Sequence, residues 1–228
     1  LIGGMIYSNF SFEGTMVHVF SDGFVDRFIS KDELPCADFS DDGGLLADRG
    51  AFDGWGYREG DEVSLIELEQ LCMRSRYMRA ESKALWLLDT RDYTKRGMRD
   101  KLRRDFGEEA ADYAVERMVY LGLIDDRRFA ERYAEQLTSV RRCSVRDARA
   151  RLMQKGISRD IIDEVIAELD VSADDQLDEL IRSKYAARLE NADEKALKKV
   201  IDSLARKGFS YSDIRAAIGR FCDAELYD

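Results

Sequence analysis

Asp125-Asp126, Glu108-Glu109 and Asp174-Asp175 are the side-chain pairs whose type could support acid–base chemistry. Such chemistry needs a nucleophile, a separately tuned base or a cofactor motif alongside, and the sequence places none beside them. All three pairs fall where a helix should begin, where carboxylates cap free backbone N–H groups and favour the positive end of the helix dipole. Metal chemistry fares no better. Cys36, Cys72, Cys143 and Cys222 are scattered without a CxxC, and the single histidine, His18, cannot complete a Cys/His zinc site with them. The cysteines read as reduced thiols of a cytosolic protein, with Cys72 and Cys143 packed. His18, in a strand-like run, reads as structural. No catalytic residue, metal or cofactor is expected, and the chain is not expected to be an enzyme.

Arginines are the other candidates. Lys95, Arg96, Arg99, Lys101, Arg103 and Arg104 fall in one predicted helix, and Arg141, Arg142, Arg146, Arg149, Arg151 and Lys155 surround another. Arg142, Arg146 and Arg149 recur at helical spacing and would share one side. Such faces contact nucleic-acid phosphates or acidic protein surface. They can equally be ordinary solvated faces, here partly neutralised by Asp100, Asp105 and Asp147. The overall net charge of −10 argues against nucleic acid until its distribution is seen. Residues 1–75 carry −10, residues 76–90 carry +1, residues 91–155 carry +5 and residues 156–228 carry −6. Polarised charge of this kind steers association and says little about fold.

The elements that must hold these charges are mostly helices. The chain has 228 residues, 45% hydrophobic and 36% charged, with Pro35 its single proline, which leaves room for long uninterrupted helices. No run of about 18 apolar residues predicts a membrane span, and the first residues make a poor signal peptide. Val17, Val19, Phe24 and Phe28 alternate around Asp22-Gly23, which signals a β-hairpin. The acidic, glycine-rich stretch over residues 38–62 reads as a mostly irregular, mobile loop. Ser64 with Glu67 forms a capping box that opens helical periodicity, and helices run from about Tyr77 to the end. Ala84, Leu85, Leu87 and Leu88 make one apolar face. Ile161, Ile162, Val165, Ile166 and Leu169 make a second, and Leu177, Leu180, Ile181, Tyr185 and Leu189 a third. Phe106, Phe129, Tyr133 and Phe209 sit at core spacing rather than as base-stacking platforms.

Internal similarity is the more informative feature. RARLMQKGISRDIIDEVIAEL and VIDSLARKGFSYSDIRAAIGRF superimpose at a shift of about 52, with Leu152 on Leu204, Gly156 on Gly208, Ile157 on Phe209, Ser158 on Ser210 and Ile162 on Ile214. The pattern is a helix ended by glycine, an apolar residue packing back, and a serine opening the next helix. DKLRRDFGEEAADYAVERM is a weaker earlier copy whose cap glycine is lost or shifted. A longer helix precedes each copy, so the unit is three helices and about 50 residues. The expected fold is mainly α: tandem three-helix repeats in an elongated, curved array after a small β-containing N-terminal segment. The segments divide as 1–75 (acidic, with hairpin and loop), 76–124, 125–170 and 171–228. In LGLIDDRRFAERYAE, Leu121–Ile124 should close the first repeat, Asp125 or Asp126 should cap the next helix, and Phe129 and Tyr133 should stitch the repeats together.

In combination these motifs resemble the RecX family of recombination regulators over roughly residues 80 to 222. An AL-x-LL helix, a Tyr-Thr turn, a Leu-x-Asp-Asp-x-x-Phe-Ala stretch (LIDDRRFA here) and two Lys-Gly-[Ile/Phe]-Ser turns follow in order. The resemblance implies a non-enzymatic, monomeric, cytoplasmic protein. It would bind RecA along the groove of the RecA–ssDNA filament and lower recombinase, ATPase and coprotease activities, in the setting of DNA repair and the SOS response. Weak direct DNA contact is compatible with that role; a membrane partner is not expected. Arg142, Arg146 and Arg149 would be the leading contact surface and Arg96, Arg99 and Arg103 the second. The alternatives are a helical DNA-binding regulatory module acting without RecA, and a pure protein-interaction scaffold with no effect on DNA.

Overall fold

The computed structural model describes residues 6–13, 16–21, 34, 37–39, 45–56, 62–169, 171–190 and 193–225. Two compact units divide the chain: residues 1–92 with 98–124, and residues 93–97 with 125–228. The first unit opens on a sheet. β1 (Ile6–Glu13) pairs antiparallel with β2 (Met16–Ser21), Glu13 opposite Met16. β3 (Asp38–Phe39) and β4 (Leu45–Asp48) extend it on one side and β5 (Glu62–Val63) on the other, in the order β3-β4-β2-β1-β5. Val17 and Val19 of the apolar alternation lie in β2, which pairs with β1 and β4. The Asp22-Gly23 turn, Phe24 and Phe28 lie outside the described residues.

The stretch expected to be an irregular loop is instead partly ordered. β4 and α1 (Arg49–Asp53) come from it, and Asp48 caps α1 through the Gly50 and Ala51 N–H groups. Leu45, Ala47, Ala51 and Phe52 from it, with Leu34 and Ala37 just before it, close a core with Leu68, Leu71 and Cys72. The alternation Leu45-x-Ala47 is a period-two strand signal masked by the surrounding glycines and aspartates.

α2 (Leu65–Thr90) starts at the expected Ser64/Glu67 capping box. It contains neither proline nor glycine, so nothing interrupts it for 26 residues. It runs straight through residue 76, where the charge pattern divides the chain. Its first half closes the sheet core, with the β4 backbone N–H of Asp48 donating to buried Ser75 at 2.6 Å. Its second half carries Ala80, Ala84 and Leu87 inward, while Leu85, expected on that face, is 47% exposed. α3 (Lys95–Tyr120) is kinked at Gly107, whose φ of +82° breaks the helical path. The cap glycine of the first repeat is thus present, placed after Phe106 rather than before it.

In the second unit each repeat is legible. α4 (Asp126–Glu135) continues through a wide π turn over Gln136–Val140. The buried Thr138 hydroxyl is satisfied within that turn, donating to the Ala134 carbonyl at 3.0 Å. α5 (Val145–Gln154) and α6 (Arg159–Glu168) complete the repeat. α7 (Ala173–Leu180), a second π turn (Ile181–Tyr185), α8 (Ala186–Leu189), α9 (Glu194–Ala205) and α10 (Tyr211–Glu225) form the last. Leu177, Leu180, Ile181, Tyr185 and Leu189 are buried together with Val200, Leu204, Phe209 and Ile214, as their spacing predicts. Among the described residues no helix is long and apolar enough to cross a membrane.

Candidate functional site

The carboxylate pairs take their places at helix starts. Asp125 caps α4 by accepting from the Arg127 and Arg128 N–H groups, and Asp126 accepts from the Lys95 N–H at 2.9 Å. Asp174 and Asp175 stand in the first turn of α7 behind Ser172. Glu109 follows the Gly107 kink and accepts from the Tyr77 hydroxyl at 2.6 Å, while Tyr77 stacks on Tyr113 at 4.8 Å. That hydrogen bond, aided by burial, holds the neutral phenol and pushes its pKa up to about 12. The Tyr77 contribution to stability is therefore complete below the ordinary tyrosine value of 10.0 and is lost as pH rises towards 12. In a phenolate absorbance titration, Tyr77→Phe should remove the last-titrating tyrosine. Removal of an ordinary tyrosine would contradict the assignment.

Cys143 is buried beside Asp147, and its thiol pKa is raised by burial first and then by the Asp147 carboxylate. Cys222 is exposed. At neutral pH, alkylation mapped by mass spectrometry should modify Cys222 at least ~10-fold faster than Cys143. Cys72 is buried, and Cys36 lies outside the described residues. Among the described residues, no cluster of His, Cys, Asp or Glu could hold a metal ion.

The arginines separate into paired and open groups. Arg99 pairs with Asp112 across the Gly107 kink, and Arg149 pairs with Asp163 of α6. Arg142 does not share a helical side with Arg146 and Arg149. It precedes the Ser144 N-cap, with φ of +51°, and reaches Glu179 of α7 at 2.6 Å. Arg96 lays its aliphatic stem over Gly156. Arg103 and Arg146 are exposed, and so are Lys101 and Arg104; among the described residues none of these four pairs with a carboxylate. Met98 and Leu102 are buried and fix the phase of α3 that turns Lys101, Arg103 and Arg104 to solvent.

Arg127, in the stretch the sequence singles out, braces two helices of its own repeat. It meets Glu131 at 3.0 Å, Glu168 at 2.6 Å, and Glu164, tying α4 to α6. The Glu168 hydrogen bond leads in raising its pKa above the ordinary arginine value. Phe129 and Tyr133 pack on the core of their own repeat, with Ala130, Ala134, Leu152, Ile157, Ile162 and Val165. The seam between repeats is made elsewhere. The Thr94 hydroxyl, capping α3 through the Gly97 N–H, donates to the Lys155 carbonyl at 2.8 Å. The Ser144 N–H, at the start of α5, donates to the Lys207 carbonyl at 2.9 Å. Both Lys-Gly turns of the repeated motif are thus seated on the N-terminus of a preceding middle helix.

Sequence spacing missed the exposed aromatics. Trp86 is 58% exposed with the Lys83 ammonium 4.2 Å from its ring centre, and Tyr120 is 81% exposed under Arg117. Trp86 lies two residues after buried Ala84 and one before buried Leu87, an off-face phase that the helical period could have revealed.

Three family models match in tandem: RecX, first three-helix domain, over residues 80–118; RecX, second three-helix domain, over 125–166; and RecX, third three-helix domain, over 173–218. A protein named Regulatory protein RecX from Clostridioides difficile (strain 630) is 24% identical over 172 residues, covering 75% of this chain and 81% of the relative. One of the same name from Chlorobium phaeobacteroides (strain BS1) is 38% identical over 136 residues, covering 59% and 88%. A crystal structure of regulatory protein RecX superimposes with a TM-score of 0.60 at 17% identity, over 94% of this chain and 100% of that one. RecX from Lactobacillus salivarius gives 0.54 at 24% identity, over 64% and 96%. The two structures share the fold, the repeated Lys-Gly turns fall inside the second and third matches, and the three matches together span more than half of the sequence: the chain belongs to the RecX family.

Proposed function

We propose that this chain is a non-enzymatic, cytoplasmic regulator of RecA that binds RecA and the RecA–ssDNA filament as a monomer and inhibits recombinase, ATPase and coprotease activities, as part of DNA repair and the SOS response. The observation that carries the reading is the family match over three tandem repeats, whose relatives are named regulatory proteins. The open cations support it. Arg103, Arg146, Lys101 and Arg104 need not break an internal ion pair before meeting a phosphate or a carboxylate, so the desolvation and exchange costs of docking are reduced there. Arg96, Arg99, Arg142 and Arg149, from the same predicted surface, contribute after exchanging or shifting their present contacts. Many modest contacts distributed over repeats add through geometry, which suits binding along a polymer.

The test is RecA-catalysed ATP hydrolysis on single-stranded DNA with stoichiometric protein added, together with filament length by electron microscopy. Lower hydrolysis and altered filaments are expected; unchanged hydrolysis and length overturn the reading. The same open cations also fit a DNA-binding module that acts without RecA. That alternative requires tight, sequence-selective binding to bare DNA at physiological salt, whereas the RecA reading expects weak, strongly salt-dependent binding that tightens when RecA is present.

A further inference from the structure

A pocket of about 360 Å³ lies inside the second unit, between the π turn that follows α4 and the start of α7. Thr138, Arg142, Val171, Asp175, Gln176 and Glu179 line it. Gln176 is half-buried, and its Oε1 is buried with no hydrogen-bond partner, the single such side-chain atom among the described residues. The orientation of the amide is fixed by its other end. Its Nε2 donates to the Thr138 carbonyl at 3.5 Å, and a carbonyl takes only a donor, so the oxygen is the atom left over. A buried acceptor without a donor is costly to keep. The Thr138 contact is at the long limit of a hydrogen bond, so the amide gives up little when it turns its oxygen to an incoming donor.

A second irregularity lines the same pocket. Arg142, with φ of +51°, is the one non-glycine residue with a left-handed backbone among the described residues. Strain of this kind collects at binding and switch sites. Its guanidinium meets Glu179 of α7 at 2.6 Å. Asp175 lies one turn before Glu179, is exposed, and pairs with no cation among the described residues. The pocket therefore sets two carboxylates against one guanidinium and keeps one negative charge unmatched. Asp175 also favours the positive end of α7, but that leaves the orphaned oxygen beside it unexplained.

An orphaned acceptor next to an unmatched carboxylate calls for a cation with more than one N–H. A guanidinium carries five in a planar fork and is weakly hydrated, so it serves an amide oxygen and a carboxylate together; an ammonium is held back by its tighter hydration. The aliphatic stem behind it would lie on half-buried Val171. An anion fits worse, because the Arg142 charge is engaged with Glu179 and Asp175 would repel it. We infer that this pocket binds a guanidinium group, received by the Gln176 Oε1 and the Asp175 carboxylate. The inference goes beyond RecA regulation and does not rest on it.

The probes are the capped tripeptide Ala-Arg-Ala, its citrulline counterpart of the same shape without the charge, free L-arginine and inorganic phosphate. Amide resonances of the full chain, with the Gln176 side-chain NH2 pair, are followed during titration. The arginine tripeptide should give saturable shifts over Val171–Glu179 and at the Gln176 side chain, with affinity at least ~10-fold above that of the citrulline tripeptide. Gln176→Met, which keeps the length and removes the acceptor, should abolish the response. Asp175→Asn, at an exposed position, should weaken it about 3-fold with helical content unchanged, and so tests the site without touching the interior. If free arginine matches the tripeptide, the guanidinium belongs to a small metabolite; if only the tripeptide saturates, it belongs to a partner protein's side chain; either result upholds the site. Absence of saturable shifts with both arginine probes overturns the inference. So does equal affinity for the citrulline tripeptide, an unchanged response in Asp175→Asn, or phosphate moving the same amides in preference to arginine.

Discussion

Alanine at Gly208 is expected to destabilise the chain by about 3 kcal/mol, more than alanine at any other glycine between repeats. The backbone there has φ of +90°, a left-handed conformation that costs an L-residue about 1–2 kcal/mol. An added Cβ would also fall 2.5 Å from the Asp147 Cβ, 2.6 Å from the Ser144 Oγ and 3.3 Å from the Asp147 Cα. Two of these atoms belong to a helix and cannot swing aside, and overpacking of this kind costs about 1–3 kcal/mol. Gly156→Ala should follow: of the Arg96 atoms its Cβ would meet, Cδ and Cγ can rotate away, and only Cβ, at 2.7 Å, is fixed to the helix. Gly122 is the control: its φ is +69° but an added Cβ would meet nothing within 4 Å, so only the conformational cost of about 1–2 kcal/mol remains. Urea unfolding of the three variants should rank them Gly208, Gly156, Gly122. If all three lose the same stability, the close approach at the seams contributes nothing.

The second large effect is on function. Lys101→Glu/Arg103→Glu/Arg104→Glu should weaken binding to RecA–ssDNA filaments at least ~10-fold while leaving helical content unchanged, because the side chains are exposed and unpaired within the described residues. If they meet phosphates, the dependence of log affinity on log salt should also flatten, by about 0.7 for each phosphate of a single strand that is no longer neutralised. Arg146→Glu should act in the same direction with a smaller effect. Arg149→Ala and Arg99→Ala, whose guanidiniums are engaged with Asp163 and Asp112, should change binding less than the open set. Anisotropy of labelled single-stranded DNA, with and without RecA, reads both quantities. Equal losses from paired and open arginines would mean that pairing does not decide which cations dock.

The repeats are legible in the sequence because their cues are local. Serine and aspartate caps, a glycine that ends a helix and apolar residues three and four apart act within one or two turns, and Asp125, Ser144, Ser158, Gly156 and Gly208 occupy the places those cues require. The ordered part of residues 38–62 is not legible, because its burial depends on distant partners: Leu45, Ala47 and Phe52 become core only when Leu68 and Leu71 arrive from α2. The arginine surface is half legible. Helical spacing finds which cations share a turn, but it cannot see that Arg142 leaves the helix for a left-handed turn or that Glu179 and Asp163 come from other helices. Phe129 and Tyr133 are packing residues, as their spacing indicates, yet the seam between repeats is made by carbonyls and glycines that no hydrophobic pattern reports.

α2 has a mechanical consequence. At about 1.5 Å of rise per residue its 26 residues form a beam about 39 Å long, anchored in the sheet core at Leu68 and Leu71 and turned inward again at Ala80 and Ala84. A beam has no hinge. A pull or twist applied to the sheet is delivered to the start of the first repeat rather than absorbed by a linker. A truncation at residue 76 would saw through its middle, so a fragment beginning there starts with a frayed end, not with a clean domain.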